Sequence, residues 1–322
     1  MDLVQDATRI LKSGPVLVTG ANGFLGRNLV GRLLQLGAET VVAVRSVGRR
    51  LTDVASSIRI VECDLAEADR LAAEMAAVRP AVVFHLAARV AAGAPPSDIA
   101  EANIVATVNL LNAVNGDFLK RFVYCGTGSE YGAGARLSES APLRPTNMYG
   151  VTKAAGHLAA HAFRRTHRLP VISVRPFTMY GPWEPPRRLI PFVCCSALDG
   201  VDIPLTPAEQ ERDFIFVDDA VDAFVRTVAV AASDDMEAIN VSSGVPVKVR
   251  DVVTEIVALS GGRATPQFGK LPYRSGDARA ECGDGSLARR VLDWTPQTSL
   301  TEGLRRTLGW VGEHRALLKE LA

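Results

Sequence analysis

Short runs of apolar, mostly β-branched residues recur through the first half of the chain, at 15–19, 40–44, 58–63, 81–86, 121–124 and 171–174. They are apolar throughout rather than alternating, the pattern of strands buried on both faces. Between them lie longer alanine- and leucine-rich stretches with helical spacing, at 25–36, 66–78, 99–114 and 149–166. This alternation predicts an α/β fold, a doubly wound parallel sheet covered by helices on both sides. After Arg175 the rhythm breaks at a cluster of prolines, Pro176, Pro182, Pro185, Pro186 and Pro191. The expected division is a nucleotide-binding domain over 1–175, to which 213–240 returns, and a smaller substrate-binding region over 176–212 and 241–322. Within it, 214–217 and 218–228 read as a strand and helix rejoining the main sheet, and 249–259 and 300–310 as helices.

The first run leads into Gly20-Ala21-Asn22-Gly23-Phe24-Leu25-Gly26, glycines between a strand and a helix. Glycine allows a positive φ in the turn and lets backbone approach a pyrophosphate, while the helix N-terminus offers free N–H groups to the anion. Gly26 would let helix and strand pack closely. This is the opening of a Rossmann dinucleotide site, with Gly20, Asn22, Gly23, Phe24, Leu25 and Gly26 against the cofactor. In such sites an acidic residue ending the second strand binds the ribose 2′-hydroxyl. Here that strand runs into Arg45-Ser46, with Arg49 and Arg50 nearby. An arginine there pairs with a 2′-phosphate, so NADP(H) is favoured and NAD(H) is the alternative. Asp64, after the third strand, is placed to contact adenine, with Leu65 beside it.

Tyr149 and Lys153 stand at i, i+4 and project from one face of a helix. A nearby ammonium and an oxidised nicotinamide favour the phenolate, which suits proton transfer with a sugar hydroxyl. About twenty residues earlier, Gly126-Thr127-Gly128-Ser129-Glu130-Tyr131-Gly132 follows a strand. Thr127 can offer a hydroxyl to the substrate oxygen, and Ser129 is a rival for that role.

In this order, 20–26, His85-Leu86-Ala87-Ala88, Thr127 with Tyr131-Gly132, and Tyr149-Gly150-Val151-Thr152-Lys153 resemble the signatures of the extended short-chain dehydrogenase/reductases that act on nucleotide sugars. Arg175-Pro176, Tyr180-Gly181-Pro182, Arg212-Asp213-Phe214, Val217-Asp218-Asp219, Arg274-Ser275-Gly276-Asp277 and Trp294-Thr295-Pro296 continue the match over nearly the whole chain. The resemblance implies that Tyr149 is the general acid/base and that Lys153 tunes it and binds ribose. It also implies that Leu86, Ala87 and Ala88 lie beside the cofactor and that Arg212 and Arg274 hold the diphosphate. It suggests a homodimer through helices 99–114 and 149–166. Where the family commonly has asparagine against the substrate, this chain has Thr178, which is shorter and lacks the paired donor and acceptor of an amide.

The family contains epimerases, dehydratases, ketoreductases and decarboxylases. Dehydratases resemble one another in an acidic residue two places before the tyrosine of the Tyr-Gly step; here that residue is Ser129, and Glu130 is one place too late. Segment 126–132 and Leu143-Arg144-Pro145 look similar to reductases of NDP-4-keto-6-deoxyhexoses, and Arg45 tilts the same way. The expected activity is NADPH-dependent reduction of the C4 ketone of such a sugar. The alternatives are an NAD-dependent 4-epimerase and, in another class, a catalytically silent NADP(H) sensor.

Composition excludes little but is consistent. Net charge is +1, from 36 basic and 35 acidic residues, so no nucleic-acid or membrane surface is expected. The five cysteines form no CxxC pair, and vicinal Cys194-Cys195 reads as two small hydrophobes on one helix. With no signal-like or spanning segment, a cytoplasmic location is expected. His157 and His161, at i, i+4, lack the glutamate of a zinc motif. No metal site is expected, and the two histidines are placed on the outer face of the Tyr149 helix.

Overall fold

The structure is a computed structural model and describes residues 3–90, 93–231, 236–273 and 278–321. From the N-terminus, α1 (Leu3–Leu11) leads into β1 (Val16–Thr19), α2 (Phe24–Gln35), β2 (Thr40–Val44), β3 (Arg59–Glu62), α3 (Ala68–Val78) and β4 (Val82–His85). Next come α4 (Pro96–Ala100), α5 (Ala106–Ala113), β5 (Arg121–Cys125), β6 (Gly134–Leu137), α6 (Met148–His167), β7 (Val171–Pro176) and β8 (Thr178–Tyr180). Then follow α7 (Leu189–Asp199), β9 (Ile203–Pro204), β10 (Glu211–Phe216), α8 (Val217–Thr227), β11 (Ala238–Val241) and β12 (Pro246–Lys248). The chain closes with α9 (Val249–Leu259), β13 (Pro266–Gln267), β14 (Ala280–Gly283), α10 (Ser286–Leu292), α11 (Leu300–Glu313) and α12 (Arg315–Glu320).

Seven parallel strands form the main sheet in the order β11-β7-β5-β4-β1-β2-β3. The order reverses at β1, so the carboxyl ends of β1 and β4 open the crevice in which sheets of this type bind ligands. Strands β1, β2 and β4 are buried at every residue, which is why they read as unbroken apolar runs. One face packs on α1, α2, α8 and α10, through Leu29, Leu33, Phe224 and Leu292 among others. The other face packs on α3, α5 and α6, through Leu71, Leu110 and Ala160. A third apolar cluster joins α7, α9 and α11 through Val193, Ile256 and Leu304. No helix among the described residues is long and apolar enough to cross a membrane.

Segment 214–217 behaves differently from the sequence expectation. Its residues 214–216 belong to β10, which joins β12, β14 and β8 in a second sheet, and the strand that returns to the main sheet is β11. The buried carboxylate of Asp213 provides the reason. It accepts hydrogen bonds from the N–H groups of Ser243, Gly244 and Gly283, which fasten β10 to the C-terminal loops. The helical half of the expectation holds, since α8 packs on the main sheet. The predicted helix 99–114 is also interrupted, by a π-helical turn over Glu101–Val105 between α4 and α5.

His157 and His161 face inward, contrary to the placement expected from sequence. Both are buried and meet the Ser173 hydroxyl of β7, at 2.8 and 3.0 Å. The Ser173 hydroxyl holds this edge against the sheet, and Leu158 and Val151 occupy the exposed side of the helix. His85 is buried between the hydroxyls of Thr19 and Thr107, at 2.8 Å each.

Burial lowers these imidazoles from about 6.5 to about 3 for His85, about 2 for His157 and about 3 for His161. The fold therefore binds the neutral rings, and the unfolded chain takes up protons first as pH falls through about 6.5. The contribution is complete above that pH and is lost progressively down to the folded values. At pH 6 each ring is expected to cost about 0.8 kcal/mol, and the set about 2.5 kcal/mol, relative to pH 8. Urea-unfolding free energies at the two pH values measure this, and equal stabilities would show that the rings are protonated in the fold.

Candidate active site

The glycine turn has the shape its sequence requires. Gly20 adopts φ +70°, and a Cβ there would stand 2.6 Å from the Ala87 nitrogen. Its carbonyl accepts the Gly23 N–H at 2.9 Å, and a Cβ on Gly26 would strike that carbonyl. Helix α2 then starts at Phe24 with no side-chain cap and no acidic residue in its first turn. Its leading N–H groups are left to an anion, so the turn fits the pyrophosphate of a dinucleotide. Leu25 is buried beneath it.

Asn22 ties this turn to the loop after β2. Its amide donates to the Ser46 carbonyl at 2.8 Å and accepts the Gly48 N–H at 3.0 Å. That loop carries the basic residues. Arg49 pairs with Glu320, and Arg50 donates to the Trp183 carbonyl at 3.1 Å. Arg45 is exposed and has no hydrogen-bond or ion-pair partner among the described residues. Asp64 caps its own turn by accepting the Ala66 N–H at 2.9 Å. The Leu65 carbonyl accepts from Asn109 of α5 at 3.0 Å, which holds the β3 loop beside the sheet edge. After β4, the Leu86 and Ala87 N–H groups bond to the Thr19 carbonyl and hydroxyl, at 3.3 and 3.2 Å, and Ala88 is exposed.

Tyr149 and Lys153 lie on the first turns of α6, whose N-cap is Asn147 accepting the Gly150 N–H at 2.9 Å. Lys153 is buried, with Nζ 4.4 Å from the centre of the Tyr124 ring, and burial lowers its pKa. The lowering of the Tyr149 phenol expected from sequence calls on an oxidised nicotinamide as well as Lys153, and in the protein by itself the phenol lies on the other side of its usual value. Burial raises it well above the usual value, with Cys125 and Glu130 adding to the effect. The protein alone thus keeps Tyr149 protonated, because lost hydration is the largest influence on the phenol.

Thr127 caps the short 3₁₀ turn Gly128–Glu130, with its Oγ1 accepting the Ser129 N–H at 3.3 Å. An oxygen used as acceptor leaves the hydroxyl proton available for donation. Ser129 instead donates to Glu281 Oε1 at 3.3 Å. Glu130 completes the turn by accepting the Thr127 N–H at 2.9 Å, and its other oxygen meets Arg175 Nε at 2.8 Å. Arg175 also donates to the Tyr131 hydroxyl at 2.7 Å, which donates to Asn240 at 2.8 Å. The acidic residue in the Thr127 segment is therefore a buried structural ion.

Thr178 opens β8 half-buried, paired with Phe214 of β10. Arg212 donates to the carbonyls of Glu211 and Ala278, both at 2.8 Å. Arg274 lies outside the described residues.

Sequence reasoning passed over Asn103 and Glu281, and it weighed Glu130 only as an acid for dehydration. Asn103, on the π-helical turn, joins the Arg89 backbone to the Thr152 hydroxyl at 2.9 Å, one residue from Lys153. A π turn within an α-helical stretch is a recognised mark of functional sites and could have been noticed only in the backbone.

The geometry agrees with comparisons to known proteins. Residues 16–242 match the model of the NAD dependent epimerase/dehydratase family. The chain is 32% identical to UDP-glucose 4-epimerase of Mycolicibacterium smegmatis, over 91% of this chain and 96% of that one. It superposes on an epimerase from Methanothermobacter thermautotrophicus with a TM-score of 0.90 at 28% identity, covering 99% and 98% of the two chains. The dTDP-glucose 4,6-dehydratase DesIV of Streptomyces venezuelae, solved with NAD bound, is similar at a TM-score of 0.86 and 27% identity, covering 96% and 100%. The chain belongs to the NAD-dependent epimerase/dehydratase family, enzymes of the extended short-chain dehydrogenase/reductase type.

Proposed function

We propose that the chain is an NADPH-dependent 4-ketoreductase of a nucleotide-activated 4-keto-6-deoxyhexose. Arg45 carries this reading: an exposed guanidinium with no partner among the described residues stands where an NAD site would keep a carboxylate. A net reduction draws on NADPH, whereas an epimerase recycles one bound NAD. NADPH, when bound, supplies the hydride for C4. Tyr149, held protonated, donates its phenolic proton to the C4 oxygen, and the Thr127 hydroxyl donates a second hydrogen bond to that atom. Lys153 binds the ribose and supports Tyr149. The glycine turn holds the pyrophosphate, Asp64 and Leu65 flank the adenine, and Leu86, Ala87 and Ala88 line the cofactor.

In the same reading Arg212 and Arg274 hold the substrate diphosphate, Ser129 and Thr178 lie toward the sugar, and 176–212 with 241–322 form the substrate-binding region. The protein works as a cytoplasmic homodimer. Exposed Val105, Met148, Val151 and Leu158 supply the apolar faces of the helices that would pair.

A second reading, an NAD-dependent 4-epimerase, is favoured by the 32% identity to the mycobacterial enzyme. Incubation with NADPH and a panel of NDP-4-keto-6-deoxyhexoses separates the two. Stoichiometric NADPH loss with a reduced sugar is expected. Interconversion of NDP-hexoses without NADPH loss would establish the epimerase, and tight cofactor binding without turnover of any sugar would indicate a sensor. Replacing Arg45 with alanine is expected to weaken NADPH binding about 10–100-fold and leave NADH binding unchanged, the size of one charge-assisted hydrogen bond. Equal effects on the two cofactors would remove the 2′-phosphate from the argument.

A further inference from the structure

The loop between β8 and α7 is tied to the elements around the glycine turn. Asn28 of α2 donates to the Pro182 carbonyl at 3.0 Å. Arg50, from the loop after β2, donates through Nε to the Trp183 carbonyl at 3.1 Å, and its Nη1 stands 3.5 Å from the Asn22 carbonyl. The Arg27 guanidinium lies over the Trp183 ring, 4.6 Å from its centre, and the Trp310 ring of α11 meets it at 5.4 Å. Together these contacts hold Trp183 at φ +72°. That conformation favours glycine, and a bulky side chain keeps it only where its surroundings impose it. Farther along the loop Glu184 is buried and pairs with Arg188 at 3.7 Å. Arg188 is the N-cap residue of α7, and it stands near enough to Tyr149 for its charge to pull the phenol down against the burial that raises it.

We propose that Arg50 is a positioning residue for the nucleotide sugar: by holding the Trp183 carbonyl it sets segment 182–188, with Arg188 at its end, beside the first turn of α6. The inference rests on reading 176–212 as part of a nucleotide-sugar site. Two arginines of one loop, Arg45 and Arg50, then serve different ligands. Arg45 is exposed toward the cofactor, whereas Arg50 is half-buried and turned to the backbone of the β8–α7 loop. Ordering a loop at the moment of binding costs affinity, and a loop already fixed avoids that cost. Arg50 thus acts on the sugar through the backbone it holds. Asn28 acts in the same way on Pro182, and its neutral amide makes the weaker tie.

The test is equilibrium binding to the full chain by titration calorimetry, with NADP⁺ titrated alone and nucleotide sugars titrated in its presence. UDP-, GDP- and dTDP-linked hexoses first identify the nucleotide that binds to the wild-type protein. Arg50→Met keeps an apolar stem and removes the donors. It is expected to weaken that sugar about tenfold, the size of one hydrogen bond from a charged group, and to leave NADP⁺ within about twofold. Asn28→Ala is expected to weaken the sugar about threefold, again with NADP⁺ within about twofold. A general loosening of the fold would lower both affinities, so a loss confined to the sugar reports the loop. A fall in NADP⁺ affinity alongside that of the sugar overturns the proposal and makes Arg50 a cofactor ligand. An unchanged sugar affinity in either variant overturns it as well. If Arg50→Met does not fold, Asn28→Ala decides by the same two criteria. Failure of every nucleotide sugar to bind the wild-type protein would instead remove the nucleotide-sugar reading, and this inference with it.

Discussion

Tyr149→Phe is expected to lower turnover by about 10²–10⁴-fold while leaving cofactor affinity within a few-fold of the parent. General acid–base groups contribute on this scale, and only the phenolic proton is removed. The ring stays, so packing on the first turn of α6 is retained. The phenol is held above its usual pKa by burial, with Cys125 and Glu130 behind it, so it enters a reduction already carrying the proton it must give. Single-turnover rates with saturating cofactor, alongside a cofactor titration, measure the two quantities separately. A variant that kept more than a tenth of parental turnover would assign the proton to another group, and Thr127 would be the next to replace.

The second large effect is on stability and arises from Glu130. Its side chain and that of Arg175 are 0% and 2% exposed, and they meet at 2.8 Å. Removing one partner of a buried pair strands the other charge, at a cost of about 3–5 kcal/mol. Glu130→Ala is expected to lose that much in urea unfolding. It also removes the bond that fixes the Thr127 N–H, so activity should fall further than unfolding explains. The double variant Glu130→Ala with Arg175→Met separates the roles. It should regain much of the stability, because no charge is left unpaired, and recover little activity, because the Thr127 N–H remains without its Glu130 acceptor. Recovery of both together would mean that the pair serves stability alone.

The chain by itself determined the main sheet and the cofactor turn. Local periodicity is enough for both: buried parallel strands are apolar throughout, and a strand–glycine–helix junction admits few other conformations. The predicted run 40–44 coincides with β2 residue for residue, and 149–166 falls within α6. The pairing of Tyr149 with Lys153 was legible for the same reason, since four residues along a helix fix a face. Asp213, by contrast, is one acidic residue before an apolar run, and nothing nearby in sequence says that loops from 243–244 and 283 close on it. Those bonds, not the strand's own composition, moved β10 into the second sheet.

The same division runs through the site. Glu130 read as an acid one place out of register for dehydration, and only Arg175, 45 residues away, shows it to be a buried counterion. His157 and His161 share a helix face, but which face meets the sheet was decided by Ser173 on β7. Glu281 reaches Ser129 across 152 residues of chain. Patterns of a few residues report backbone geometry. The partners of a charge, and the environment that sets its protonation, come from segments brought together by folding, because Coulomb and desolvation energies depend on distance in space and not along the chain.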